Sequence, residues 1–272
     1  MVHIAGVDLG AGATKTVIVD DQGNVVGRGI ERTQADFDAV ARASIEQACA
    51  EAGLKPDRID YIASTGLGRY SLGMRDIQIT DLTCGARGAH AIFPGARFVL
   101  DMGAQSTRAI SLRDGGKVKA FRTNEKCAAG SGGFLQRICR YLEVDVGEIG
   151  ALSLKAEDPQ PISSVCAVLA ESEIINHVSE GKTVADIICG AHESLAGRAL
   201  SQLKMVGFEE SVVFIGGVAR QEGMVEACRK MFEGELLIAE HPAHVVAHGA
   251  AILGLSRYRK RASTLVGTAK AN

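Results

Sequence analysis

The chain has 272 residues, of which 46% are hydrophobic and 23% charged, and a formal net charge of −2 at pH 7. This composition is typical of a globular protein. The small net charge favours neither nucleic acid nor an anionic membrane as a partner. No apolar run reaches the ~18 residues of a spanning helix. No basic segment precedes the first apolar run, as it would in a secretory signal, so we expect a cytoplasmic protein. Seven cysteines without a CxxC pair argue against a disulfide framework.

The first informative segment covers residues 7–19. An apolar run ends at Asp8, a small-residue turn follows, and a second β-rich run begins, which predicts a β-hairpin. A tip of Gly and Ala lets backbone N–H groups approach a phosphate closely. The Walker A and dinucleotide-binding motifs do not match this spacing. The predicted phosphate-binding residues of the tip are Gly10, Ala11, Gly12, Ala13, Thr14 and Lys15.

Helical spacing of apolar residues predicts a helix over 36–52, and residues 61–63 predict a strand. This strand leads into a glycine-rich turn at 64–69, where Thr65 and Gly66 are either plain loop residues or a further nucleotide contact. A helix is predicted over 81–92. The break at Pro94-Gly95 is the candidate boundary between two lobes.

A second hairpin is predicted over 97–112, and its sequence repeats the first. Asp101 corresponds to Asp8, Gly103 to Gly10, and Arg108 to Lys15. One such copy is explained by an ordinary tight hairpin. Two copies in register favour a cleft in which a hairpin from each lobe grips one polyphosphate, with Mg²⁺ held between Asp8 and Asp101 through water molecules.

The middle of the chain carries two cysteine-containing loops, each leading into a predicted helix. Residues 124–133 precede a helix whose predicted apolar face includes Tyr141, and residues 161–166 precede another, with Ser163 or Ser164 as its N-cap. Cys127 and Cys166 therefore lie near helix N-termini, which favour thiolates. Two thiolates are half of a four-cysteine set, so a cluster would need two other ligands or a second protomer. By spacing alone, a cluster is the less favoured interpretation.

The other five cysteines are interpreted as small buried hydrophobic residues; they are Cys49, Cys84, Cys139, Cys189 and Cys228.

The C-terminal part begins with a long helix predicted over 183–206 and a buried strand over 212–219. The Gly216-Gly217 pair allows a flat base to lie against the backbone. Three histidines at 241, 244 and 248 are better explained by a loop and ordinary packing than by a metal site. A small-residue helix is predicted from residue 248 onward.

Together these features resemble the sugar-kinase, heat-shock chaperone and actin superfamily of ATPases. The motifs at 124–132 and 163–173 resemble one branch, the 2-hydroxyacyl-CoA dehydratase activators and the ATP-binding subunits of benzoyl-CoA reductase. The resemblance implies an α/β fold with two ribonuclease-H-like lobes and a nucleotide cleft between them. The lobes would comprise residues 1–95 and 96–245, with a helix at 246–262 returning to the first lobe.

The resemblance also implies cofactors and partners. ATP and Mg²⁺ would bind with catalytic roles for Asp8, Asp101 and Gln105. One 4Fe-4S cluster would be shared between two identical or homologous protomers, with Cys127 and Cys166 as its ligands from this chain. A ferredoxin or flavodoxin would supply electrons, and a CoA-thioester reductase or dehydratase would receive them after ATP hydrolysis.

One departure from the branch concerns the second hairpin. The activators usually read Asp-x-Gly-Gly-Gln-Asp, whereas this chain has Ser106 in place of the second carboxylate. The change favours the smaller ATP-binding subunit of a benzoyl-CoA-reductase-type complex over the homodimeric dehydratase activator. A small-molecule kinase of the same superfamily is the alternative from another class, and iron content separates it from both.

Overall fold

The computed structural model describes residues 2–124, 131–163 and 167–269, so Cys127, Ser164 and Cys166 lie outside the described residues. The chain divides into two units. Unit 1 comprises Met1–Pro94, Gly115–Lys117 and His244–Asn272, and unit 2 comprises Gly95–Asp114 and Val118–Ala243. Among the described residues, no helix has both the length and the apolar character needed to cross a membrane.

Each unit contains a five-stranded sheet. The strands of the first sheet are β1 (Ile4–Leu9), β2 (Ala13–Val19), β3 (Val25–Arg32), β4 (Tyr61–Gly66) and β5 (Ile77–Gln78). The strands of the second are β6 (Phe98–Met102), β7 (Thr107–Arg113), β8 (Lys117–Thr123), β9 (Ser211–Ile215) and β10 (Glu235–Ile238).

Eight α-helices complete the described elements. Their bounds are α1 Phe37–Glu51, α2 Asp81–Ile92, α3 Gly132–Leu142, α4 Ile149–Ser153, α5 Ala167–Ser179, α6 Val184–Met205, α7 Glu222–Met231 and α8 Val245–Ala269.

The two sheets have the same topology. The order is β3-β2-β1-β4-β5 in the first and β8-β7-β6-β9-β10 in the second. In each, the hairpin's first strand is central: β1 pairs antiparallel with β2 and parallel with β4, and β6 pairs antiparallel with β7 and parallel with β9. The sequence repeat is therefore a repeat of sheet architecture.

In unit 1, alternation along the central strand distributes its side chains to the two faces of the sheet. Val7 and Leu9 pack with Ile45 of α1, whereas Ile4 packs with Ala251 of α8. Both faces of the strand are thus buried. Asp8 lies at the carboxyl end of this strand and is only 7% exposed.

In unit 2 the sheet packs in one core with the surrounding helices. Leu100 and Phe214 of the central strands join Phe134 of α3, Leu195 of α6 and Met224 of α7. This core holds the start of α3 beside the second hairpin.

Most helix predictions agree with the structure to within a residue or two, because caps define their starts. Asp36 accepts a hydrogen bond from Ala39 N at the start of α1, and Thr183 accepts one from Asp186 N at the start of α6. Two sequence interpretations were wrong. The strand predicted over 212–219 ends at Ile215, followed by a 3-10 turn from Val218, and Tyr141 is half-exposed instead of buried.

Candidate functional site

In the first hairpin, Asp8 and Lys15 face each other across the ladder. They are register partners on β1 and β2, and Lys15 Nζ lies 3.1 Å from Asp8 Oδ2. Both side chains are largely buried, so each charge depends on the other for compensation. The arrangement fixes a carboxylate at the strand end beside the small-residue tip.

The tip of this hairpin is held by a residue that the sequence analysis did not identify. Thr33, just after β3, donates from Oγ1 to the Gly10 carbonyl at 2.7 Å and lies 3.0 Å from Thr14 Oγ1. Its N–H donates to the Gly12 carbonyl. These bonds order the tip from the neighbouring strand, and a threonine after a strand gives no sequence signal for such a role.

Asp8 leaves no room for a side chain at Gly66, the last residue of β4. Its φ is +85°, and a Cβ there would lie 2.5 Å from Asp8 Oδ1. Only glycine combines this left-handed backbone with so close an approach. Thr65, its neighbour, is fully buried and pairs in register with Asp8. Strand β4 thus runs to Gly66, beyond the predicted 61–63, and its end lies against the Asp8 carboxylate.

The buried thiol of Cys84, at the start of α2, belongs to the same neighbourhood. Burial raises its pKa to about 12; the Thr65 hydroxyl opposes the shift and the Asp8 carboxylate adds to it. Cys84 is therefore a neutral thiol in the folded protein at neutral pH. This agrees with its interpretation as a small buried hydrophobic residue.

The second hairpin repeats the ion pair of the first. Asp101 and Arg108 are register partners, and Arg108 Nη1 donates to Asp101 Oδ2 at 3.3 Å. The tip closes through a hydrogen bond from Gly103 N to the Ser106 carbonyl, and Gln105 is exposed at this tip. The paired carboxylate and the small-residue tip recur, with arginine in place of lysine.

Gly216 follows β9 as Gly66 follows β4. Its φ is +95°, and a Cβ would lie 2.8 Å from Asp101 Oδ1 and 2.4 Å from the Met102 carbonyl. The closeness of Asp101 thus explains why residue 216 is a glycine. Gly217 differs, because no atom lies within 4 Å of a Cβ built there. Of the pair, Gly217 is the one with open space beside it.

The start of α3 is hydrogen-bonded to the tip of the second hairpin. Gly132 N donates to the Gly103 carbonyl at 2.9 Å, and Gly133 N donates to the Ala104 carbonyl at 2.7 Å. The buried Ser131 hydroxyl also donates to Ala104 at 3.0 Å. First-turn N–H groups of a helix have no partner within the helix, and here the tip supplies the acceptors. The tip and the first turn of α3 are therefore directly connected.

The described cysteines have the properties of core residues. Cys49, Cys84, Cys139, Cys189 and Cys228 are all buried, and burial raises the pKa of each thiol. Within the described ranges no group of three or more His, Cys, Asp or Glu side chains is arranged to hold a metal ion. His241, His244 and His248 lie within these ranges.

Residues 5–254 match the sequence profile of the BadF/BadG/BcrA/BcrD ATPase family. A benzoyl-CoA reductase subunit of Thauera aromatica is 39% identical over 96% of this chain and 96% of its own. The activator of lactoyl-CoA dehydratase of Anaerotignum propionicum is 36% identical over 95% of this chain and all of its own.

The structure is similar to that of a Clostridium difficile protein, the activator of 2-hydroxyisocaproyl-CoA dehydratase with bound ADPNP. The TM-score is 0.90 at 34% identity, covering 96% of this chain and 97% of that one. The match confirms the expected two-sheet α/β fold of the actin-like ATPases. Dehydratase activators and a reductase subunit both occur among the relatives, as the two cysteine-containing motifs predicted. The chain belongs to the BadF/BadG/BcrA/BcrD ATPase family.

Proposed function

We propose that the protein is an ATP-hydrolysing electron-activating subunit that serves a CoA-thioester reductase or dehydratase. Family membership and the two kinds of relatives support this activity. A benzoyl-CoA-reductase-type complex is the preferred setting, since Ser106 replaces the second carboxylate of the activators and the reductase subunit is 39% identical. A homodimeric dehydratase activator is the alternative within the same chemistry.

For nucleotide binding, we propose that the two units are the lobes of the ATPase and that their hairpin tips bind the phosphates of ATP. The repeated pairs Asp8–Lys15 and Asp101–Arg108 support this, because each places a fixed carboxylate beside a small-residue tip, the kind of turn that phosphates approach closely. The carboxylates fit hydrated Mg²⁺, which keeps much of its water shell. Gly217, with open space beside it, suits the base.

For iron, we propose Cys127 and Cys166 as the ligands of one 4Fe-4S cluster shared with a second protomer. Support comes from the other five cysteines, whose burial and raised thiol pKa values make them poor thiolate donors. The proposed ligands precede α3 and α5 in the sequence. When bound, the cluster supplies one-electron transfer at low potential. A ferredoxin or flavodoxin is the proposed donor.

One observation links the two proposed sites, namely the hydrogen bonds from Gly132 and Gly133 to the second hairpin tip. A γ-phosphate held at that tip stabilises one tip position over another, and a ligand shifts a conformational equilibrium only through such differential binding. Because α3 follows Cys127 in the chain and is bonded to the tip, the same shift changes the surroundings of the proposed cluster.

The test uses full-length protein purified without oxygen. We expect about four irons per dimer, the content of one shared cubane, and different rates of iron chelation with ADP and with a non-hydrolysable ATP analogue. Cys127→Ser and Cys166→Ser should each abolish iron binding, while Cys49→Ser and Cys228→Ser keep it. Identical chelation rates in both nucleotide states would refute the coupling, and iron-free parent protein would favour the kinase alternative. Subunits that co-purify identify the acceptor.

A further inference from the structure

Helices α3 and α5 are joined by one carboxylate. Glu171, in the first half of α5, lies 3.0 Å from Arg137 Nε through Oε1, and its Oε2 accepts a hydrogen bond from the Tyr141 hydroxyl at 3.3 Å. Arg137 and Tyr141 are four residues apart, so they lie on the same side of α3. A single side chain of α5 thus contacts two successive turns of α3.

The ion pair is partly buried, which makes it stronger than a fully exposed one. The side chains of Glu171 and Arg137 are 21% and 38% exposed. Nε and Nη2 of Arg137 are covered and form no hydrogen bond of good geometry within the described residues, so the 3.0 Å contact to Glu171 is electrostatic. Removing the Glu171 charge would leave the two covered nitrogens of Arg137 without a compensating charge nearby, while the rest of the partly exposed side chain stays in contact with water.

Both helices are also hydrogen-bonded to neighbouring segments. The tip of the second hairpin accepts hydrogen bonds from the first N–H groups of α3, Gly132 and Gly133. On the α5 side, the Glu173 carboxylate accepts the N–H of Ser163, which fastens the helix to the segment that precedes it. Glu171 is therefore placed to transmit a displacement from the hairpin tip through α3 to α5.

We propose that Glu171 is a positioning residue that holds α3 and α5 in one relative orientation, and thereby sets the geometry of the cluster whose ligands precede the two helices. The inference rests on the proposed function, because the cluster is part of it. Glu171 itself binds no iron. It acts through Arg137 and Tyr141.

The direct test is Glu171→Gln in full-length protein purified without oxygen. The substitution keeps the shape and an acceptor for Tyr141 but removes the charge that faces Arg137. We expect parental iron content and about two- to fivefold faster iron chelation, the range that corresponds to loss of one partly exposed ion pair. The charge-swapped double variant Arg137→Glu/Glu171→Arg should return the rate toward that of the parent.

Asp114→Asn is the matched control, since it removes an exposed ion pair with Arg97 in the same unit. It should leave the chelation rate unchanged. A second readout needs no iron: amide hydrogen exchange of α3 and α5 in the iron-free chain should be faster in Glu171→Gln than in Asp114→Asn.

The two proposals fail in different ways. Parent protein that holds no iron would overturn the proposed function and this inference with it. Iron-loaded parent whose chelation and amide exchange are unaffected by Glu171→Gln would overturn only the role of Glu171. A rate raised equally by Asp114→Asn would also overturn it, because the effect would then come from charge alone.

Discussion

At the scale of single residues, the least replaceable positions of the candidate site are the glycines beside the two aspartates. Gly66 and Gly216 have positive φ angles and face Asp8 and Asp101, respectively. The sequence analysis associated both glycines with nucleotide contact. The structure provides a separate reason for each, since any side chain would displace a buried carboxylate.

We expect Gly216→Ala to lower the free energy of unfolding by about 1–3 kcal/mol, because strained backbone and a collision with the Met102 carbonyl act together. Urea denaturation measures the change. Gly217→Ala is the matched control: its φ is −64° and no atom lies within 4 Å of the added carbon. Equal stabilities of the two variants would show that neither the backbone conformation nor the Met102 carbonyl restricts residue 216 to glycine.

At the scale of elements, α3 connects the second hairpin tip to α5. It is hydrogen-bonded to the hairpin tip at its start and contacts Glu171 along its length. The prediction that Tyr141 belongs to the buried face was wrong because helical spacing also fits a side chain at the edge of that face. The hydroxyl instead reaches Glu171 on α5.

We expect Ser131→Ala to lower the free energy of unfolding by about 1 kcal/mol, since the hydrogen bond from the buried Ser131 hydroxyl to the Ala104 carbonyl is lost. Amide exchange at the first turns of α3 should be faster as well. Ser201→Ala is the control, because its exposed hydroxyl donates to the Gly197 carbonyl within the same helix, α6. If amide exchange of α3 were the same in both variants, Ser131 would not anchor the helix.

At the scale of the whole molecule, each unit contains a histidine that is neutral in the folded protein at neutral pH: His192 is fully buried and His248 is partly buried. Burial lowers the pKa of His192 to about 4, against a smaller opposing effect of its hydrogen bond to Gln221. Burial, with a smaller effect of Arg28, lowers the pKa of His248 to about 4. In the unfolded chain a histidine has a pKa of about 6.5, so as the pH falls the unfolded chain takes up protons on these two side chains before the folded protein does.

The contribution of these two histidines to the free energy of unfolding is therefore fully present above about pH 6.5. It is lost as the pH falls from there toward the pKa values of the folded protein, by at most about 1.4 kcal/mol per pH unit for each residue. Urea denaturation between pH 7.5 and 5.5 measures the slope. His192→Gln should reduce the slope. A parental slope in His192→Gln would show that His192 is protonated in the folded state.

The sequence by itself determined the repeated hairpins, most helix bounds and the branch of the family, because these depend on local patterns: periodicity, caps and short motifs. Only the tertiary structure placed Thr33 on the first tip, Gly216 against Asp101, and Glu171 between Arg137 and Tyr141. Each of these contacts joins residues that are distant along the chain and of ordinary type. Their proximity results from strand pairing and helix packing, which local sequence does not encode.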